Sequence, residues 1–287
     1  MNKEGRKIMN SKKSRKLLTH LLIILFGLLM IYPLIWMLSA SFKQNTEIFQ
    51  SLSLLPKHPT LENYINGWKG VSGVSFGKFF LNSFILAGVS IVANILSCSM
   101  AAYAFSKLEF KLRNFFFAVM MVTLMLPFHV KLIPQYIVFS KIGWVNTYLP
   151  LLVPKFFATE GFFIFLLVQF MRGISDELLE APRIDGAGSF RIYMQFIMPL
   201  SVPALVTVAI FTFIWTWNDF FSQMIYLSKP SSFTVSLALR MFVDPTGKSS
   251  WGSLFAMSCL SLVPLLLIFI IFQRYLVEGI MLGSIKG

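Results

Sequence analysis

Charge is scarce in this chain. Only 13% of its 287 residues are Asp, Glu, Lys or Arg, about half the ~25% of a soluble globular domain, which excludes a soluble enzyme or a solvated scaffold. Acids are scarcer than bases, 12 against 25, for a net charge of +13. No RNA- or DNA-binding motif accompanies that excess, so nucleic acid is not an expected partner. There are two cysteines, Cys98 and Cys259. Both sit in apolar runs, where a thiol behaves as a small hydrophobe, and they exclude a disulfide framework. The histidines, His20, His58 and His129, are scattered without metal-ligand spacing. A phosphate-binding loop is missing too. Gly247-Lys248-Ser249 imitates the end of one, but the position of its first glycine falls on Phe242 and no strand precedes it. No nucleophile–base pair stands out either. The chain is not expected to be an enzyme or to hold a metal or cofactor of its own.

What the chain has is apolar length: 56% hydrophobic residues, 31 of them Phe, in runs long enough to cross a bilayer. Seven bases, Lys3, Arg6, Lys7, Lys12, Lys13, Arg15 and Lys16, precede the first run, residues 17–39. That run is longer than the core of a cleaved signal peptide, so it reads as a retained helix with its basic end in the cytoplasm. Further spans are expected over 79–104, 115–138 (interrupted by Pro127 and Pro134), 154–171, 203–227 and 254–272. The polar stretches 44–78, 141–148 and 228–253 then lie outside, and the basic loop with Lys107, Lys111 and Arg113 lies inside. The result is an all-α, six-span, multi-pass membrane protein with both ends cytoplasmic: a basic tail, 1–16, then a transmembrane domain, 17–287. No inverted repeat of the kind found in many secondary transporters is visible. Lys155 and Glu160 fall within the fourth run; they can snorkel, pair or face water, and a structural role is the preferred reading.

The loop 173–202 has a different character from everything around it. Glu180, Arg183, Asp185 and Arg191 gather there between two apolar runs. Ser175 can cap a short helix that carries Asp176 and Glu177 in its first turn. That helix is expected to end or restart near Pro182, and Gly186 and Gly188 to allow a tight turn. Ser189 can cap a second helix with Phe190, Tyr193, Met194 and Ile197 on one side. An apolar knob with a polar rim is the composition of a helix that docks in a partner's cleft.

Glu180-Ala181-Pro182-Arg183-Ile184-Asp185-Gly186-Ala187, followed by Phe196-Ile197-Met198-Pro199-Leu200, resembles the EAA loop of ABC importer permeases. Glu180, Ala181, Gly186 and Pro199 fall in register, whereas Pro182, Phe196 and Met198 depart from the pattern. Three more stretches resemble the permeases of oligosaccharide importers, in particular the smaller, six-helix maltose-type subunit: Tyr32-Pro33-Leu34-Ile35-Trp36, Trp217-Asn218-Asp219-Phe220, and the tail 273–287 with Gln273, Arg274, Gly283, Lys286 and Gly287. The resemblance implies a bacterial cell-membrane subunit that pairs with a second permease, two ATPase subunits that bind ATP and Mg, and an extracytoplasmic solute-binding protein, for uptake of an oligosaccharide or related carbohydrate. It implies that Glu180, Ala181, Pro182, Asp185, Gly186, Ala187, Phe190, Tyr193 and Pro199 couple to an ATPase and that the tail touches it. Trp217, Asn218 and Asp219 are candidates for the translocation path, because a carboxylate at membrane depth should face a cavity or a partner; an interfacial belt is the alternative for them. For the whole chain, a permease for a non-sugar solute, a secondary transporter or a channel remain the alternatives.

Overall fold

The computed structural model describes residues 3–50, 53–243 and 249–281, and these are predominantly helical. Among them, the segments Arg15–Ala40, Phe76–Lys107, Leu149–Arg172 and Trp251–Arg274 are long and apolar enough to cross a membrane. Two bent pairs, Arg113–Leu124 with Phe128–Lys141 and Ser189–Leu200 with Val202–Asn218, bring the number to as many as six if each pair is one span. A helix satisfies its backbone polar groups within its own segment, so apolar chain in a bilayer takes this form.

The departures from the expected spans have local causes. The 101° bend of the first pair falls at Pro127, which has no N–H to continue the ladder and pushes the residue before it out of helical geometry. Pro134, also expected to interrupt, stays inside the Phe128–Lys141 helix. The fourth run is not one helix over 154–171. It is built of a helix Leu149–Leu152, a 3₁₀ turn Val153–Phe157 and a helix Gly161–Arg172. Between the last two, Ala158 takes the left-handed conformation at φ 54°. The fifth run stops at Asn218, short of residue 227. Asp219 is extended, at φ −66° and ψ 108°, and a separate short helix, Phe221–Tyr226, follows.

Both ends are more helical than expected. The basic residues before the first span belong to one helix, Lys3–Ala40. The last helix runs from Trp251 to Met281, so residues 273–281 continue it and do not form a separate tail. Gly283, Lys286 and Gly287 lie outside the described residues.

The chain divides into two compact units, Met1–Trp68 with Phe242–Leu260, and Lys69–Met241 with Ser261–Gly287. In the first, buried Asn63 donates from Nδ2 to the Ser41 and Lys43 carbonyls at 2.8 and 2.7 Å, and Trp36 meets Phe255 edge-on at 5.3 Å. A Cβ on Gly252 would fall 2.3 Å from Asn63 Oδ1, so this close approach requires glycine.

The second unit is organised around the Phe76–Lys107 helix. Its buried Cys98, Ala102 and Tyr103 share one core with Phe163, Leu167 and Met171 of the fourth run and Ala204, Leu205 and Val208 of the fifth. Hydrocarbon offers little drive for helices to associate, so close packing and interhelical hydrogen bonds matter more there. Asn94 Nδ2 donates to Thr212 Oγ1 at 3.1 Å, and Ser97 Oγ to the Lys155 carbonyl at 2.6 Å. The same core continues through Leu179, Ile192, Tyr193 and Ile197 into the loop 173–202.

Candidate functional site

Two features of the second unit stand out, a folded loop between spans and a cavity. The loop starts at a fixed point. Lys107, at the end of its helix, is almost wholly buried along its stem. Its Nζ donates to the Ile174 carbonyl at 2.6 Å and to Asp176 Oδ1 at 2.8 Å. The hydrogen bond and the charge of Lys107 hold the exposed Asp176 carboxyl below its ordinary pKa. Ser175 is not the cap of the Glu177–Ile184 helix as expected: Asp176 holds that position, and Ser175, one residue earlier, accepts the Glu177 N–H on its Oγ at 3.3 Å.

Pro182 lies inside that helix and is buried, and the helix ends close by, at Ile184. The missing N–H of Pro182 forfeits one backbone bond, from position 182 back to Leu178. The Pro182 carbonyl is then used at the C-terminus, where it accepts the Ala187 N–H at 2.9 Å while Gly186 N–H donates to Arg183 O at 3.1 Å. With Gly186 at φ 77°, this is a Schellman cap. Gly188 differs from expectation: it is extended, at φ −67° and ψ 160°, and precedes the Ser189–Ile192 helix, so Ser189 is the first residue of that helix and not its cap.

A π turn, Tyr193–Ile197, follows, a feature frequent at functional sites. It comes with a correction to the expected knob. Phe190, Tyr193, Met194 and Ile197 do not share a side. Tyr193 and Ile197 are buried; the Tyr193 hydroxyl lies 2.7 Å from Ser99 Oγ and its ring 5.4 Å from that of Tyr103. The apolar side chains left outside include Ile184 (85% exposed), Phe190 (71% exposed), Leu178 and Met194. Glu180, Ala181, Asp185 and Pro199 are exposed with them, and Ala187 is half-buried. Lys107 and Ser99, which anchor the loop, were not expected; Lys107 read only as one base of a cytoplasmic loop.

The cavity encloses about 540 Å³, and Lys131, Gln135, Lys155, Glu160, Trp215, Asn218, Asp219 and Ser222 are among the residues that line it. Lys155 and Glu160 pair at 3.5 Å across the left-handed break at Ala158, which settles their three options in favour of pairing at a cavity wall. Asp219 Oδ1 accepts the Ser222 N–H at 3.1 Å and so starts the next helix. Asn218 and Asp219 thus reach the cavity, but Trp217 does not. It is buried against Phe84, Phe213 and Phe80 at ring separations of 4.9, 5.2 and 5.7 Å, and its Nε1 donates to the Ser261 carbonyl at 3.2 Å. The tryptophan on the cavity is Trp215, with Phe128, Phe139 and Tyr226 also in the lining.

Residues 93–281, covering the core, the cavity and the loop, match the model of the family described as binding-protein-dependent transport system inner membrane component. The chain belongs to that family. It is a multi-pass membrane protein and a transport subunit, a permease of a binding-protein-dependent ABC importer. The permease is 32% identical over 282 residues to the arabinooligosaccharides transport system permease protein AraQ of Halalkalibacterium halodurans, covering 96% of this chain and 99% of that one. It is 32% identical over 270 residues to the sn-glycerol-3-phosphate transport system permease protein UgpE of Brucella abortus, covering 92% and 95%. Its fold matches, with a TM-score of 0.82 and 22% identity over 92% of this chain and 97% of the other, that of a chain from the crystal structure of a bacterial ABC transporter involved in the import of the acidic polysaccharide alginate.

Proposed function

We propose that this permease forms, with a second permease, the pathway by which an oligosaccharide or related carbohydrate enters a bacterial cell. The solute is delivered by an extracytoplasmic binding protein, and uptake is driven by ATP hydrolysis on two partner ATPase subunits that carry the ATP and Mg sites. Both ends of the chain lie in the cytoplasm. The observation that carries the reading is the loop 173–202: its inner face is part of the transmembrane core through Leu179, Tyr193 and Ile197, while Leu178, Ile184, Phe190 and Met194 are exposed on it. A loop fixed to the helices on one side and apolar on the other passes a push from a docked partner to the spans. Alternating access then follows as a shift between two packings of the helices. The kinship with an arabino-oligosaccharide permease supports a carbohydrate; the kinship with a glycerol-phosphate permease supplies the competing solute class.

The test is reconstitution of the four kinds of subunit in vesicles, with ATP turnover and uptake measured across binding proteins loaded with oligosaccharides or with sn-glycerol 3-phosphate. Stimulation by an oligosaccharide-loaded binding protein is the expected result. Stimulation by the phosphate alone overturns the carbohydrate assignment, and uptake without the ATPase subunits overturns the importer.

A further inference from the structure

The cavity has a charge pattern that bears on its solute. Two lysines and two acids line it: Lys131 and Lys155, Glu160 and Asp219. Lys155 and Glu160 are partnered with each other at 3.5 Å, with their side chains 20% and 34% exposed. Both stand on chain fixed by its backbone. The Lys155 carbonyl accepts Ser97 Oγ at 2.6 Å, and Thr159 Oγ1 donates to the Pro154 carbonyl at 3.0 Å, so the turn carrying the pair is tied back on itself and to the neighbouring helix. The left-handed Ala158 between them brings two residues five apart in sequence to the same wall.

An unpaired ammonium in such a wall would draw anions, because a low-dielectric cleft lined by one sign of charge concentrates counter-ions. A pair cancels most of that field while leaving donors and acceptors for hydroxyl groups. Of the remaining lining, Lys131 and Asp219 are one of each sign and add no net charge, and Gln135, Asn218 and Ser222 with the Trp215 ring are suited to a polyhydroxylated solute. We propose that the Lys155–Glu160 pair sets the charge of this wall and makes it admit uncharged solutes in preference to anions. The inference rests on the cavity's being part of the translocation path, and it deepens the carbohydrate assignment by excluding phosphorylated or acidic solutes from this half of the path.

The experiment uses the assembled importer with Cys98→Ala and Cys259→Ala and a reporter thiol, Gln135→Cys, on the cavity wall. Its reaction rates with a cationic and an anionic methanethiosulfonate are compared, each normalised to a free thiol. With the pair intact the two normalised rates are expected to be similar. Glu160→Gln should shift the ratio toward the anion by about tenfold, the low end of the effect of a one-signed cleft. Lys155→Gln should shift it the other way, and Lys155→Gln with Glu160→Gln should restore it. The double variant also separates charge from folding, since it leaves neither member of the pair without its partner. Unchanged ratios in both single variants, or no reaction of the reporter with a small neutral reagent, overturn the proposal. The path reading is scored separately: reporter rates that do not differ between the nucleotide-free and nucleotide-trapped importer refute it, whatever the charge ratios show.

Discussion

Lys107 donates to Asp176 at 2.8 Å from the end of a transmembrane helix to the start of the loop 173–202, with its own side chain only 3% exposed. A lysine buried to its ammonium and held by two hydrogen bonds is a rigid strut, since the stem cannot swing. Replacing it with Met keeps the packing and removes both hydrogen bonds. Lys107→Met should leave the protein inserted and raise tryptic cleavage after Arg183 several-fold in the purified importer. Unchanged cleavage would show the strut to be dispensable.

The same pair gives a pH dependence. Lys107 lowers the folded-state pKa of Asp176, so its contribution is present above the unfolded carboxylate value of about 3.9 and is lost as pH falls through the depressed folded value. Between pH 7 and pH 5 the contribution of this group is therefore complete, and thermal unfolding should show no pH dependence from it. Below about pH 4 the wild-type protein should lose stability relative to Asp176→Asn. The pair is largely solvent-exposed on its acidic side, so the difference should be small. Parallel curves for the two proteins down to pH 3 would remove the pair from the stability of the loop.

Trp217 and Asn218 are adjacent, but their variants should behave differently. Trp217 fills an aromatic cluster, and Trp217→Ala should cost on the order of 3–5 kcal/mol, the usual range for emptying a buried aromatic site. It should reduce assembly, read as the yield of co-purified subunits. Asn218 lines the cavity, and Asn218→Ala should assemble normally and alter uptake. A Trp217→Ala importer that assembles fully but changes its solute preference would return Trp217 to the path.

These two residues mark how far the sequence could be read. The apolar runs and the proline at 127 were legible because bilayer thickness and a missing N–H act locally. The loop stood out by its charge and glycines, and Gly186 by its place in the motif. Contacts made across long separations were not legible. Tyr193 meets Ser99 from 94 residues away, and that pull, together with a π turn, placed it on the inner face where helical periodicity put it with Phe190. Trp217 likewise read as a ring near an acid because Phe80, Phe84 and Phe213 are remote or carry no sequence signature. The break at Ala158 was hidden since no proline or glycine occupies that position.

The proposed orientation rests on the basic N-terminal segment and the order of spans. Lys229→Cys, exposed between the fifth and last spans, should react with an impermeant thiol reagent from outside intact cells. Ser189→Cys, exposed on the loop 173–202, should react only after permeabilisation. The opposite pattern would reverse the orientation of the whole chain.

Gly186 and Gly188 are two residues apart in the same turn, and the structure separates their roles. A Cβ at either position would meet no atom within 4 Å, so crowding inside the chain distinguishes neither. Backbone geometry does. Gly186 sits at φ 77°, where it closes the Schellman cap through its bond to Arg183 O, and a β-branched residue is strained there by about 1–3 kcal/mol. Gly188 is extended at φ −67°, a conformation open to any side chain. The Glu177–Ile184 helix is tied to the core through Leu179 and the following turn through Tyr193, so strain at position 186 should displace Ile184 relative to Phe190 without unfolding either. Docking depends on a few well-placed anchors. Gly186→Val is therefore expected to leave membrane insertion intact while lowering ATPase association and sugar-stimulated turnover several-fold, whereas Gly188→Ala should be close to wild type. ATP turnover and uptake in vesicles at matched subunit content decide the matter: equal coupling in the two variants would mean that the geometry of this turn does not transmit the ATPase stroke.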